Sequence, residues 1–514
     1  MPKPVFKPYQ KEQMTFLPLD LSTMIPENHM VRVIDKAIDG MDMSPLIKTY
    51  KGGGTSAYHP VMLLKVLVYA YSDKIFSSRQ IAKATRENIN FLWLTGNTRL
   101  DFMTINRFRS ERLGGIIEKI FAEVVEFLAR ENYITLDKYF LDGTKIESAA
   151  SRYSWVWGKN TRRFKERLKD KVVTLFKEID ILNDEEDKAF NGKDLPELGC
   201  KSIDSNALAE TVKKIDNKLS QNPVDKQLKT AKKKIEKDYL PKMQKYEQQE
   251  KLLQERKSYS KTDTDATFMR MKEDHMGNGQ LKPAYNVQMG TENQFITGYS
   301  IHQNAADTVC TKDHIKGLSF QPKEIIADAG YGSEENYEYM EEKGITPYVK
   351  YGTFQIEKSA KWKKDITKPQ NFKYDKETDT YYCPALNRPL VFIKEEKQKS
   401  KNGYLSKIRI YECLNCNGCP YRDKCVKGEG EFDNRRLYIN PKFEGYKAMA
   451  SDLLCGEKGI KMRSLRSVEV ESVFGDIKAN FGLRRFTLRG IKKVKIEYGL
   501  WSIAHNMRKL AKKA

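Results

Sequence analysis

Histidine is scarce, six in 514 residues, which excludes a His-rich metal centre. Long apolar runs are missing as well. The longest, Val61 to Tyr71, is interrupted by Lys65 and too short to span a bilayer, so no membrane partner is expected. The opening residues Met1-Pro2-Lys3-Pro4-Val5-Phe6-Lys7 lack the apolar stretch of a secretion signal, and a cytoplasmic location is the expectation. In such a reducing compartment the eight cysteines read as thiols or metal ligands, not disulfides. Acid is in deficit: 69 Asp and Glu against 91 Lys and Arg leave a net charge of +22, a surplus that marks a polyanionic partner, with nucleic acid first. What is present in quantity is apolar material, 39%, enough to exclude a mainly disordered chain, and the length suggests about three domains.

The basic surplus is concentrated. Residues 458–514 hold 15 Lys and Arg against 4 Asp and Glu, half of the whole imbalance, with Arg484, Arg485 and Arg489 among them. DNA contact is the leading reading of this stretch and a plain soluble tail the alternative. Residues 1–130 read as helical. Pro60 suits a first helical turn, Ser77-Ser78 are placed to cap the next helix, and a Gly-containing break after Trp93-Leu94-Thr95-Gly96 leads to Thr104–Arg109. That arrangement permits a helix-turn-helix offering Asn106, Arg107 and Arg109 to DNA; a small bundle that merely packs is the equal alternative. Residues 161–260 are highly charged, with apolar residues at helical spacing (Phe164, Leu168, Val172, Leu175, Ile179, Leu182, then Leu208, Val212, Ile215, Leu219), and read as a helical insertion broken around Asn191-Gly192 and Gly199, with Pro241 kinking or ending a later helix. Strand signals flank it: Tyr139–Leu141 before, then Tyr285–Met289, Phe295–Ile301 and Glu324–Ala327 after, the middle two forming a hairpin turning at Gly290 to Asn293.

Two of these strands end alike. Asp142 follows Tyr139-Phe140-Leu141 and precedes Gly143, and Asp328 follows Ile325-Ile326-Ala327 with Gly330 close behind. A carboxylate at the end of a buried strand, beside a glycine that lets the backbone open, suits a hard cation at a sheet's edge; an ordinary turn or capping Asp is the alternative. A third acid, Glu471, stands seven residues before Lys478, close to two α-helical turns, so one face would carry an acid for metal and a base for phosphate, or simply an exposed charged pair. Glu469 lies about 200° round such a helix and would meet Asp476 instead, so Glu471 is preferred and Glu469 is expected to pair with Arg466 or Arg463.

Tyr139 to Glu147, Ser258 to Ala266, Tyr285-Asn286-Val287-Gln288, Ile326 to Ser333, and Val470-Glu471 through Lys478 to Arg489-Gly490, in this order, resemble a bacterial insertion-sequence transposase of the DDE type, and residues 60–110 resemble that group's N-terminal helices. The resemblance implies an α/β chain with a ribonuclease-H-like (retroviral-integrase-like) core, Asp142, Asp328 and Glu471 as its triad, and Lys478 as the basic residue after the Glu. Two Mg²⁺ about 3.5–4 Å apart would serve cleavage and then joining by the freed 3′-hydroxyl, with Mn²⁺ as a substitute. It also implies double-stranded DNA as partner, element ends and target alike, a homodimer on that DNA, and a nucleoid-associated protein. One departure stands: where many relatives place Tyr and Arg seven and four residues before the Glu, this chain has Ser464 and Ser467, with Arg463 and Arg466 one residue away. The implied division is an N-terminal helical domain (1–130), the first part of the core (131–160), the helical insertion (161–260), the core continued (261–354), a Cys-rich insertion (355–445), and the final catalytic helix with the basic tail (446–514). A nuclease that cuts without joining, or a DNA-binding remnant with a dead core, are the competing functions.

Five cysteines fall within 43 residues. Cys-x2-Cys spacing lets two thiolates converge on one tetrahedral ion, so Cys383, Cys416, Cys419 and Cys425 make a candidate structural Zn²⁺ site with Cys413 as spare, against a set of reduced thiols without metal.

Overall fold

Pro60 has no N–H to lose and a φ already set for a helix, and it opens α1 (Pro60–Ser72), which is apolar nearly all round and correspondingly buried along almost its whole length. The computed structural model describes residues 20–50, 57–189, 203–221, 226–271, 279–400, 402–426 and 434–513. Among the helices that follow are α2 (Ser78–Glu87), α3 (Phe102–Arg107) and α4 (Ile117–Arg130), with α2 packed on α3. Ser77 takes the N-cap position of α2 without a side-chain cap bond, while Ser78 Oγ accepts from Arg109.

β1 (Lys138–Glu147) opens a six-stranded sheet that the chain then leaves for α5 (Gly158–Ala189), α6 (Ser205–Gln221) and α7 (Leu240–Leu253). The spacing read from sequence explains their association, since Leu168, Val172, Leu175, Leu208, Val212 and Ile215 meet in a core of their own with Ile235 and Met243. Asn191, Gly192 and Gly199 lie outside the described residues. Pro241 does not end a helix: it sits in the first turn of α7, just after a π-helical turn at Ile235–Tyr239 within a helical run that continues to Leu253.

The sheet resumes with β2 (Thr267–Arg270), β3 (Leu281–Glu292) and β4 (Phe295–His302), crosses through α8 (Asp307–Lys316) to β5 (Glu324–Gly332), and through α9 (Glu334–Glu342) to β6 (Thr346–Tyr351). β1 is antiparallel to β3, with Asp142 opposite Met289, and parallel to β5, with Phe140 opposite Ile326; β5 is parallel to β6. The hairpin between β3 and β4 turns at Asn293-Gln294, both at positive φ, later than the sequence suggests. Gly290 belongs to the strand. It is glycine because the Tyr139 ring crosses it, so close that an added Cβ would lie 1.8 Å from the ring.

A second, five-stranded sheet contains Pro389–Lys399 and Leu405–Cys413 at its centre and docks on α9 through polar contacts: Ser406 Oγ and Asn440 Nδ2 each donate to Glu334 at 2.6 Å, and Tyr404 donates to Glu338. Then come α10 (Pro441–Cys455), α11 (Glu457–Arg466) and α12 (Ile491–Ala511). The basic terminal stretch is therefore no loose tail. Val494, Tyr498, Leu500, Trp501, Ile503 and Met507 bury α12 against α1, α4 and β4, in one apolar core shared by the first helices and the sheet. No helix among the described residues is long and apolar enough to cross a membrane.

Candidate functional site

Asp142 and Asp328 stand at matching positions of β1 and β5, parallel neighbours paired from Lys138 with Glu324 to Phe140 with Ile326. Neither ends its strand as the sequence suggests, since β1 runs on to Glu147 and β5 to Gly332; both lie just past the last paired residues, where the parallel ladder between the two strands stops. Each uses its carboxylate in the same way. Asp142 Oδ1 accepts the N–H of Gly143 at 2.8 Å, and Asp328 Oδ1 accepts that of Gly330 at 2.9 Å. The other oxygens meet one cation: Arg466 Nη2, at the end of α11, stands 3.2 Å from Asp142 Oδ2 and 3.5 Å from Asp328 Oδ2. Asp142 is buried, Arg466 nearly so, and Asp328 half-exposed, so the pair is open to solvent on one side only. More positive charge gathers behind. Lys350 on β6 has its ammonium pushed down by burial and then by Arg466 and Arg463, against the pull of Asp328, and Arg463 also lies over the Phe354 ring at 5.6 Å.

After Arg466 the chain does not continue as a regular α-helix. Ser467–Glu471 and Asp476–Asn480 are π-helical turns either side of Ser472–Gly475, so the rotation from Glu471 to Lys478, or from Glu469 to Glu471, is not that of 3.6 residues per turn. The first π turn packs on β1 and β3. Glu471 is exposed there. Glu469 is half-buried and accepts the backbone N–H of Gln294 at 2.6 Å; burial pushes its carboxyl up, against the pull of that N–H and of Lys509. The expected Glu469 pairing with Arg466 or Arg463 is thus replaced, because Arg466 is held by the two aspartates. Among the described residues no three His, Cys, Asp or Glu side chains stand close enough to hold a metal ion, so Asp142 and Asp328 are brought together without Glu471, and Cys383, Cys416, Cys419 and Cys425 are not drawn into one ligand set either.

The DNA-contact candidates divide. Asn106, Arg107, Arg484, Arg485 and Arg489 are exposed. Arg485 nonetheless donates to the carbonyls of Ser148 and Ala150, and Arg489 to that of Ala149, tying the segment before α12 to the end of β1. Arg109 is corrected outright: it is 5% exposed and donates to Tyr71 Oη, the Phe76 carbonyl and Ser78 Oγ, so it braces α1 against α2 and cannot reach DNA. In the Cys-rich region Cys413, Cys416 and Cys425 are buried, Cys383 and Cys419 less so, and none is in a disulfide. Burial pushes the Cys413 thiol up to about 11, and Cys416 Sγ accepts the N–H of Arg435 at 3.3 Å.

Sequence reading missed Asp307, Gln288 and Lys350. Gln288 lay in a quoted motif without a role, and Asp307 follows no apolar strand; only the register of β3 and the position of α8 bring them beneath Gly143.

Asp476 anchors the second π turn. Burial works against its charge, but hydrogen bonds from His505 Nδ1 (2.9 Å) and Asn480 Nδ2 (2.7 Å) outweigh it and pull the carboxyl down to about 2. A depressed value stabilises the fold above the ordinary aspartate range, and that contribution is lost as pH falls through about 2. Asp476→Asn is expected to cost roughly 1 kcal/mol at neutral pH, after discounting for solvent screening, with the difference from wild type vanishing in strong acid; urea unfolding across pH measures it.

Comparison with known families comes in two pieces. Residues 382–511 match the family described as Transposase DDE domain, and residues 19–111 match Transposase domain (DUF772). The first stretch contains Glu471 and Lys478; Asp142 and Asp328 lie outside both. No curated protein and no solved structure matches the chain. The mixed α/β architecture with a DDE domain fits a ribonuclease-H-like core, and the two matches mark the chain as an insertion-sequence transposase of the DDE type.

Proposed function

We propose that this transposase binds the ends of its element as a homodimer on double-stranded DNA, cleaves them by metal-dependent hydrolysis, and joins the 3′-hydroxyls to target DNA. The observation that carries the reading is the convergence of Asp142 and Asp328 on a single cation, Arg466. A guanidinium 3.2 and 3.5 Å from two carboxylate oxygens is a stand-in for a hard cation, and an oxygen donor set of this kind suits Mg²⁺. When bound, two Mg²⁺ would activate the attacking water or 3′-hydroxyl and stabilise the leaving oxygen. Asp142, Asp328 and Glu471 would hold them. Glu471 is favoured over Glu469 because Glu469 is spent on the Gln294 backbone while Glu471 is exposed. Arg466, released from the aspartates, would turn with Arg463, Lys350 and Lys478 to the DNA phosphates, and Arg484, Arg485, Arg489, Asn106 and Arg107 would extend that contact.

Asp142→Asn and Asp328→Asn are each expected to abolish Mg²⁺-dependent cleavage of element ends while leaving end binding in a mobility-shift assay largely intact. Glu471→Gln should likewise be inactive in cleavage and strand transfer, and Glu469→Gln should keep substantial activity. Near wild-type cleavage by either Asp variant removes that residue from the site, and the opposite ranking of the two Glu variants moves the third acid to position 469.

We further propose that Cys383, Cys416, Cys419 and Cys425 take a structural Zn²⁺. What supports it is the Cys-x2-Cys spacing of Cys416 and Cys419, the place of Cys383 and Cys416 at the small sheet's core, and that none of the four is in a disulfide. Protein purified without chelator should carry about one zinc per chain by elemental analysis, and Cys416→Ser should lower thermal stability more than cleavage per folded molecule; soluble, zinc-free wild type contradicts it.

A further inference from the structure

The residue after Asp142 has to be glycine, and the reason lies beneath the sheet. A Cβ on Gly143 would stand 2.5 Å from Gln288 Nε2, 2.6 Å from Asp307 Oδ1 and 3.0 Å from Tyr331 Oη. Three polar side chains, from β3, α8 and β5, converge on the one position of β1 without a side chain. They form a connected set. Tyr331 Oη donates to Gln288 Oε1 at 2.5 Å; Gln288 Nε2 donates to Asp307 Oδ1 at 2.8 Å and to Asn286 Oδ1 at 3.0 Å; Asn286 Nδ2 donates to Asp307 Oδ1 at 2.8 Å. Asn286, Gln288 and Tyr331 are fully buried.

Successive residues of a strand face opposite sides, so Gly143 opens toward α8 while Asp142 faces α11 and Arg466. The polar set therefore touches the backbone that carries the aspartates, not the cation between them. The same helix end holds the second aspartate's loop. Thr308 Oγ1 donates to the Gly330 carbonyl at 2.6 Å, Asn336 Nδ2 ties the Tyr331 carbonyl (2.9 Å) to the Thr308 carbonyl (3.1 Å), and Asp307 Oδ2 lies 3.9 Å from where a Gly330 Cβ would be. Each aspartate spends Oδ1 on the N–H just downstream, at Gly143 or Gly330, and α8 lies against the first of these segments through Asp307 and bonds the second through Thr308.

We propose that Asp307, with Asn286, Gln288 and Tyr331, is the positioning device of the metal site: it sets the separation and aim of the Asp142 and Asp328 carboxylates by locking the Gly143 and Gly330 backbones to one helix end. The inference rests on the reading of Asp142 and Asp328 as metal ligands and assigns a task to Asn286 and Gln288, whose motif has none so far. These residues ligate nothing. Removing a supporting partner of this kind weakens metal binding by about 10–100-fold.

The test is calorimetric titration of the full chain with Mn²⁺, run beside the Mg²⁺ dependence of end cleavage, for wild type, Asp142→Asn, Asp307→Ala, Asp307→Asn and Tyr331→Phe. Asp307→Ala should bind Mn²⁺ at least about tenfold more weakly and need correspondingly more Mg²⁺, with end binding unchanged. Asp307→Asn keeps an acceptor for both amides and should recover most of the loss, which a charge effect would not allow. If Asp307→Ala does not fold, Tyr331→Phe decides, since it removes one hydroxyl and should still raise the Mn²⁺ dissociation constant. Wild-type metal affinity in folded Asp307→Ala, or in Tyr331→Phe where that is the only folded variant, overturns the inference alone, provided Asp142→Asn loses Mn²⁺ binding. Mn²⁺ binding by Asp142→Asn at wild-type affinity overturns the metal-site reading, and the inference with it.

Discussion

Two carboxylates carried to matching positions of neighbouring strands repel one another, and with one of them buried the repulsion is poorly screened. A cation between them turns that cost into an attraction, and Arg466 supplies it here. Much of the chain's arrangement serves this meeting. The parallel register of β1 and β5 brings the aspartates together, the glycines after them free an N–H for one oxygen of each, and α11 ends where its last arginine reaches the other oxygens. On the proposed reading, metal would take the place of the one positive side chain that balances these two negative charges, and the released arginine would have phosphate as its next partner.

The terminal helix joins the rest of the molecule to this centre. Asp263 accepts from Ser148 Oγ after β1, from Tyr285 Oη on β3 and from the Gly490 N–H before α12, and Asp265 accepts the Ile491 N–H. Two acids from the Ser258–Ala266 segment thus cap the N-terminus of α12, where the helix dipole favours negative charge. Through α12 the first helices share a core with the six-stranded sheet. The transposase family matches fall at the two ends of the sequence, and those ends pack together.

What was legible in the sequence is what depends on local pattern. An apolar triplet, an Asp and a following Gly marked both strands, though these run on past the aspartates instead of ending at them, and the 3.6-residue spacing of Leu168, Val172 and Leu175 marked the insertion's core. What depends on distant partners was not. Arg109 looks like a base-reading residue until Tyr71, Phe76 and Ser78 close over it. The basic end of the chain looks like a tail when its charges are counted, yet its apolar residues bury it. The facing of Glu469, Glu471 and Lys478 was reckoned on a regular α-helix, and two π-helical turns alter it without any sequence mark. Asp307 could not be singled out because its partners come from β3 and β5, about twenty residues away on either side.

The central claim is that Asp142, Asp328 and Glu471 surround the metal once Arg466 has left it. Loading the protein, bound to element-end DNA, with Fe²⁺ in place of Mg²⁺ and generating hydroxyl radicals from ascorbate and peroxide cuts the polypeptide close to the ion. The account predicts cuts near residues 142, 328 and 471 together, suppressed by excess Mg²⁺ and lost in Asp142→Asn. Cuts confined to the Cys-rich region, or absent from the segments around 142 and 328, would contradict it.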